Sequence, residues 1–285
     1  MVINSDAKTP FPLFQCGKYQ LHLNRPHVMG IVNVTPDSFS DGGRYASTQL
    51  AVEHALALVA EGADILDIGG ESTRPSAVPV SLDEELSRVI PVIVELVKQV
   101  NIPLSIDTYK PAVMREAIAA GADLVNDVKA LQEEGALEAV ANTSVGVCLM
   151  HMQGNPQTMQ IDPNYEDVLR EVYDFLQERR DIALASGIAK ERILLDPGFG
   201  FGKQTIHNIT LIQHLDALLA LGQPLLVGLS RKAVLGKIVG GDEQQRLYAG
   251  IAASVISAMK GARIVRVHDV KATVGALKVV AAVQS

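Results

Sequence analysis

The sequence predicts an α/β fold, a (β/α)8 TIM barrel with a short N-terminal β-hairpin. Three observations carry this. Eight short runs rich in Ile, Leu and Val alternate with helical stretches between Val28 and Val283. That is the pattern of parallel strands buried on both faces and joined by helices. No run is followed by GxGxxG, which disfavours a doubly wound open sheet. Most runs also end on a charged or hydrogen-bonding residue, where barrels gather their sites.

In order, residues 1–10 read as flexible. Residues 11–24 read as a hairpin turning at Cys16-Gly17-Lys18, expected to close one end of the body. Val28–Val34 is the first barrel strand, and Leu50–Ala60 a helix stopped by Gly62. Ile65–Ile68 is the second. Its helix opens at Ser81 with Glu84 three residues on, a capping box, and runs to about Val100, with Pro91 expected to kink it. Leu104–Ile106 is the third, and Pro111 suits the first turn of a helix ending near Gly121. Leu124–Val125 and Val145–Met150 are the fourth and fifth, separated by a helix over Gly135–Asn142. A long helix, Tyr165–Ser186, precedes the sixth strand, Ile193–Leu195, which ends on Asp196. Pro197 then turns the chain into a loop with Gly198, Gly200 and Gly202. A helix over Asn208–Leu221, strand Leu225–Val227, a helix over Arg246–Lys260, strand Ile264–Val267 and a helix over Lys271–Val283 complete the series. With no repeat and no low-complexity linker, residues 1–285 read as one domain.

A hydrophobic share of 48% is ample for a large core, yet no apolar run approaches the roughly 20 residues of a membrane span. The N-terminal stretch lacks the basic and apolar regions of a secretory signal. Two cysteines, Cys16 and Cys148, are too few for a disulfide framework. A net charge of −7 and 4% aromatics argue against a nucleic-acid surface. The expectation is a cytoplasmic enzyme with no membrane or nucleic-acid partner.

In a barrel, the strand ends and the loops after them share one face. That face would hold Asn33; Asp67 and Glu71-Ser72-Thr73-Arg74-Pro75; Asp107; Asn126; Met150-His151; Asp196; Ser230-Arg231-Lys232; and Arg266 with His268. Buried polar groups left unpaired cost about 1–3 kcal/mol each, so a fold keeps so many only where a ligand or one another satisfies them. Asp107, Asn126, Asp196 and Lys232 suit a flat heterocycle bearing amino, ring N–H and carbonyl groups along one edge. Arg74, Arg231, Arg266 and His268, with Thr73, suit an anion such as a diphosphate. Asn33 offers one oxygen to a Mg²⁺ whose other positions are water and phosphate. Met150 and Phe201 read as apolar walls. His151 and Lys203 read as structural, the latter capping the glycine loop. His151, His207 and His268 lack the spacing of a zinc site.

The stretches VMGIVNVTPDSFSDGG from Val28, DILDIGGESTRPSA from Asp64, SIDTYKP from Ser105 and VNDV from Val125 resemble the dihydropteroate synthases. So do VCLMHMQGNPQTMQ from Val147, LLDPGFGFGK from Leu194, LLVGLSRK from Leu225 and RVHDV from Arg266. These are the pterin-binding barrel enzymes of bacterial folate synthesis. The resemblance implies a transferase joining 6-hydroxymethyl-7,8-dihydropterin diphosphate to p-aminobenzoate, with Mg²⁺, as a homodimer. It implies that Asp107, Asn126, Met150, Asp196, Gly228, Lys232 and Arg266 hold the pterin. Asn33, as the metal ligand, would hold the diphosphate with Thr73, Arg266 and His268. Phe39, Arg74, Pro75, Phe201, Ser230 and Lys232 would shape the p-aminobenzoate site. Asp107, Lys232, Arg266 and His268 would carry the catalysis. Sulfonamides compete at the aminobenzoate site in the family, which implies inhibition here. One departure stands out: many members place Ser after SRK, where this chain has Ala233.

Two other readings remain open from sequence. A pterin-binding methyltetrahydrofolate methyltransferase domain would share the barrel but has no use for a diphosphate clamp. A non-catalytic pterin-binding paralogue would not need the full set of site residues.

Overall fold

The computed structural model describes residues 13–34, 43–72, 78–240 and 242–284. Leu13–Cys16 (β1) and Tyr19–His22 (β2) form an antiparallel hairpin in which Cys16 faces Tyr19. Eight parallel strands follow: β3 (His27–Asn33), β4 (Ile65–Gly69), β5 (Leu104–Asp107), β6 (Leu124–Asp127), β7 (Gly146–Met150), β8 (Ile193–Asp196), β9 (Leu226–Val227) and β10 (Ile264–Val267). Their spatial order is β8-β7-β6-β5-β4-β3-β10-β9. A parallel bridge between Leu195 and Leu225 joins the two ends, so the sheet closes into a barrel. The residues the notional segment 1–10 and the start of the hairpin would occupy lie outside the described ones.

Side chains alternate across each strand, and here the alternation separates two cores. Outward residues such as Val28, Val32, Leu66, Ile68, Ile106, Val147, Leu195 and Val265 pack against the helices in one large cluster. Inward residues Met29, Ile65, Leu124, Cys148, Leu194, Leu226 and Ile264 form a second cluster with Phe14, Cys16 and Leu23. The hairpin is therefore the floor of the barrel, as the sequence suggested. Each such aliphatic side chain stabilises the fold by about 1.5–3 kcal/mol when buried. Gly146 makes the floor possible: a Cβ there would sit 2.6 Å from the Phe14 ring. Above the floor the inward positions turn polar, with Asp67, Ser105, Asp107, Asn126, Asp196 and Arg266.

The helices are α1 (Gly43–Ala60), α2 (Leu82–Val97), α3 (Pro111–Ala120), α4 (Ala136–Ala141), α5 (Val168–Ala185), α6 (Thr205–Gln213), α7 (Ala233–Val239), α8 (Glu243–Met259) and α9 (Val270–Gln284). Ser81 caps α2 by accepting the Glu84 N–H at 3.3 Å, but the Glu84 carboxylate pairs with Arg88 at 2.7 Å. Pro91 lies inside α2, which stays helical around it. Several helical segments differ from expectation. Asn208–Leu221 is α6, starting at Thr205, followed by a 3-10 stretch from Leu215 to Leu221. The segment after β9 folds as α7 before α8, because Gly240 takes φ +65 and ends the first helix. Asp167, accepting the N–H groups of Leu169 and Arg170, starts α5 later than Tyr165.

Candidate active site

Arg266, on the inward face of β10, is the centre of the mouth. Its Nε donates to Asp67 Oδ2 at 2.5 Å and its Nη2 to Asp107 Oδ2 at 2.6 Å. Asn126 Nδ2 donates to the same Asp67 oxygen at 3.1 Å. Residues from β4, β5, β6 and β10, as much as 199 positions apart, thus form one network. Asp67 is fully buried, and its Oδ1 has no hydrogen-bond partner among the described residues. Burial works against the Arg266 charge, but Asp67 and Asp107 outweigh it and hold the guanidinium above its ordinary value. Burial also pushes Asp107 up to about 7, although Arg266 pulls the other way.

Beside this network stand Asp196 and Lys232. Asp196 Oδ1 accepts the Gly198 N–H at 2.7 Å, which leaves its second oxygen for a ligand. Burial raises this carboxyl above its usual range, with Lys232 and Arg266 opposing. Lys232 donates to the Phe199 carbonyl and lies 4.5 Å from the centroid of the Phe201 ring. Burial draws its ammonium down to about 8, against the pull of Asp196. Met150 ends β7 opposite Asp196 and is buried, and Gly228 lies in contact range of the Arg266 side chain, where a Cβ would sit 3.7 Å from Arg266 Cβ.

The glycine loop after β8 is built on buried Lys203. Its Nζ donates to the Gly198 and Phe201 carbonyls at 2.9 and 3.0 Å and lies 2.8 Å from His151 Nδ1. Gly198, at φ +67, is required there, because a Cβ would sit 1.8 Å from the His151 carbonyl oxygen. Both His151 and Lys203 are therefore structural, as their sequence context suggested.

Ser230 Oγ lies 3.1 Å from His268 Nδ1 and accepts the His268 backbone N–H at 3.2 Å. Arg231 departs from expectation. Its guanidinium pairs with Asp269 at 2.6 Å, an ion pair that the sequence reading did not foresee. Asn33 closes β3, paired with Gly69. No group of three or more His, Cys, Asp or Glu residues able to hold a metal is present among the described residues. A single amide oxygen fits a Mg²⁺ that arrives on phosphate and keeps its water. Phe39, Thr73, Arg74 and Pro75 lie outside the described residues.

The sequence reading placed Asp67 and Glu71 at this end without a role. Asp67 anchors the guanidinium. Glu71 accepts from Tyr109 Oη at 3.1 Å and from Lys110, whose Nζ also reaches Glu85 at 2.5 Å and the Val80 carbonyl at 2.7 Å. The available signal was Asp67 itself, a carboxylate between Leu66 and Ile68 in a strand buried on both faces. Such a charge requires a cationic partner.

The mouth thus offers carboxylate and amide acceptors beside one guanidinium and one ammonium, the donor set for a planar nitrogen heterocycle carrying an anionic group. A family model described as pterin binding enzyme matches residues 29–268. The dihydropteroate synthase of Escherichia coli K12 is 52% identical over 265 residues, covering 93% of this chain and 94% of the relative. The chain belongs to the dihydropteroate synthase family. Among solved structures, a Xanthomonas albilineans dihydropteroate synthase with 4-aminobenzoic acid superposes with a TM-score of 0.91 at 55% identity, covering 96% of this chain and 98% of that one. A Yersinia pestis dihydropteroate synthase in a sulfonamide drug complex gives 0.90 at 50% identity, covering 95% and 99%. As a member of this family the chain is an enzyme. No described helix is long and apolar enough to cross a membrane.

Proposed function

We propose that the enzyme condenses 6-hydroxymethyl-7,8-dihydropterin diphosphate with p-aminobenzoate, giving 7,8-dihydropteroate and diphosphate. The observation that carries this reading is the union of Arg266, Asp67, Asp107 and Asn126 beside Asp196 and Lys232 in one mouth. It is reinforced by the relative solved with 4-aminobenzoic acid.

The pterin lies with its amino and ring N–H edge toward Asp196 and Asn126 and its carbonyl edge toward Lys232, with Met150 and Gly228 lining the slot. With Nδ2 given to Asp67, Asn126 keeps Oδ1 as an acceptor. Arg266 and His268, with Asn33 and Thr73, hold the diphosphate. The methylene C–O bond breaks and its electron pair leaves with the diphosphate, whose new charge Arg266 and His268 stabilise. The methylene cation is conjugated to the pterin and faces the Asp107 carboxylate. The aniline nitrogen then forms the new C–N bond and gives up a proton. Asn33 would hold a Mg²⁺, which would help to neutralise the diphosphate. Phe201, Lys232 and Ser230, with Phe39, Arg74 and Pro75, shape the aminobenzoate site, where Ala233 offers no hydroxyl. No side-chain nucleophile is needed.

The test is diphosphate release. Purified enzyme given p-aminobenzoate should release it together with dihydropteroate, one for one, and a sulfonamide should compete with that amine. Diphosphate release with no dihydropteroate formed, or full turnover at saturating sulfonamide, would refute the reading. The barrel acts as one domain in the cytosol, where Cys16 and Cys148 stay as free, buried thiols. It works as a homodimer: Tyr248, Ile256 and Met259 share an exposed stripe of α8 that a second copy would cover.

A further inference from the structure

Ser230 does more in this structure than line a wall. It is 8% exposed, and its Oγ touches His268 twice, accepting the backbone N–H at 3.2 Å and lying 3.1 Å from Nδ1. The backbone N–H occupies one lone pair of the hydroxyl. Among the described residues, the acceptor within reach of the hydroxyl proton is Nδ1. Were Nδ1 itself protonated, it would point a donor at Oγ and leave a buried O–H without an acceptor, which folded proteins avoid. The neighbouring residues fix this pairing. Arg231 takes φ +58, a left-handed conformation unusual for a residue with a side chain. That turn sends its guanidinium to Asp269 at 2.6 and 3.2 Å. The loop after β9 is therefore stapled to the loop after β10 at two successive positions, Ser230 to His268 and Arg231 to Asp269.

We propose that Ser230 is a positioning residue: its hydroxyl donates to His268 Nδ1 and holds the neutral imidazole with its proton on Nε2. Nε2–H is then a fixed donor for an oxygen of the departing diphosphate. The role of that donor rests on the reading above, in which His268 meets the diphosphate. The tautomer itself does not.

Two measurements separate the two. NMR of enzyme labelled with ¹⁵N-histidine, without substrate, should show His268 protonated on Nε2. Ser230→Ala should yield a mixture of tautomers, and Ser230→Thr, which keeps the hydroxyl, should restore the single form. In steady-state kinetics Ser230→Ala should raise the KM for the pterin diphosphate about tenfold, the size of one orienting hydrogen bond, and Ser230→Thr should restore it. His268→Gln, whose amide nitrogen takes the Nε2 place, should retain more activity than His268→Asn, which takes the Nδ1 place. Adding Ser230→Ala to His268→Gln should then raise the KM for the pterin diphosphate no further. A parent enzyme protonated on Nδ1 would overturn the proposal, as would a Ser230→Ala effect confined to the aminobenzoate KM. If the Nε2 tautomer is found but the parent releases no diphosphate, the functional reading fails and the donor's role goes with it, while the tautomer assignment stands.

Discussion

Replacing Asp107 by Asn tests the electrostatics of the mouth in two independent ways. The carboxylate accepts from Arg266 at 2.6 Å, and burial pushes it up to about 7 against the Arg266 pull, with Asp67, Glu85 and Asp127 adding to the rise. An unfolded Asp titrates near 3.9. Between that value and about 7 the fold holds a proton that the unfolded chain has released, so stability falls as pH rises through the window. Asn cannot ionise, and urea unfolding of Asp107→Asn across the window should lack that slope. The kinetic effect follows from charge. A carboxylate about 5 Å from a cationic methylene, at an effective dielectric constant of about 20, attracts it by about 3 kcal/mol. Losing that attraction lowers kcat about a hundredfold. Pterin affinity should fall much less, because the amide oxygen still accepts a hydrogen bond. Single-turnover formation of dihydropteroate at saturating substrate reads the chemical step directly. An unchanged kcat would remove Asp107 from the chemistry, and an unchanged pH slope would show that it does not titrate there.

Arg266→Ala should weaken binding of the diphosphate-bearing pterin by about 2–5 kcal/mol, far more than binding of the same pterin without diphosphate; equal losses by calorimetry would mean that Arg266 serves the ring alone. Lys110→Met strands Glu85, whose side chain is 1% exposed, and should cost about 3–5 kcal/mol in urea unfolding. Adding Glu85→Gln should recover part of it, and no loss from Lys110→Met would reduce the clamp to a surface pair. Gly198→Ala forces a Cβ to within 1.8 Å of a backbone oxygen and should disrupt the loop and abolish turnover. Gly187→Ala, also at positive φ but with nothing within 4 Å, should cost only about 1 kcal/mol. Similar effects from the two glycine changes would show that the close approach is not what selects Gly198.

Strand parity explains what could be read from the chain alone. Ile-Leu-Val runs mark strands covered on both faces, and a polar residue ending such a run lies at the mouth, so Asp107, Asn126, Asp196 and Arg266 were visible by position. Their partners were not. The Arg266–Asp67 contact spans 199 positions, and nothing local announces it. Arg231 and Lys232 are adjacent and both cationic, yet Arg231, at positive φ, pairs with Asp269 while Lys232 donates to the Phe199 carbonyl. No pattern of residue types foretells that divergence. Helix limits were less legible: α7, Ala233–Val239, closed by Gly240 in the left-handed conformation, was not expected, while the expected helix over Arg246–Lys260 starts earlier, at Glu243, as α8. His151 and Lys203 were legible as structural, and each satisfies the other inside the glycine loop.

The same strands that carry the chemistry also carry the floor, a few residues earlier along each of them. Met29, Leu124 and Ile264 sit with the hairpin, while Asn33, Asn126 and Arg266 sit at the mouth. The bore of this barrel is thus divided into a foundation and a workshop that share walls but little else. Repacking the foundation should shift the melting temperature and leave substrate preference untouched. Changes at the rim should remodel ligand recognition with the foundation intact, so durability and specificity can be altered one without the other.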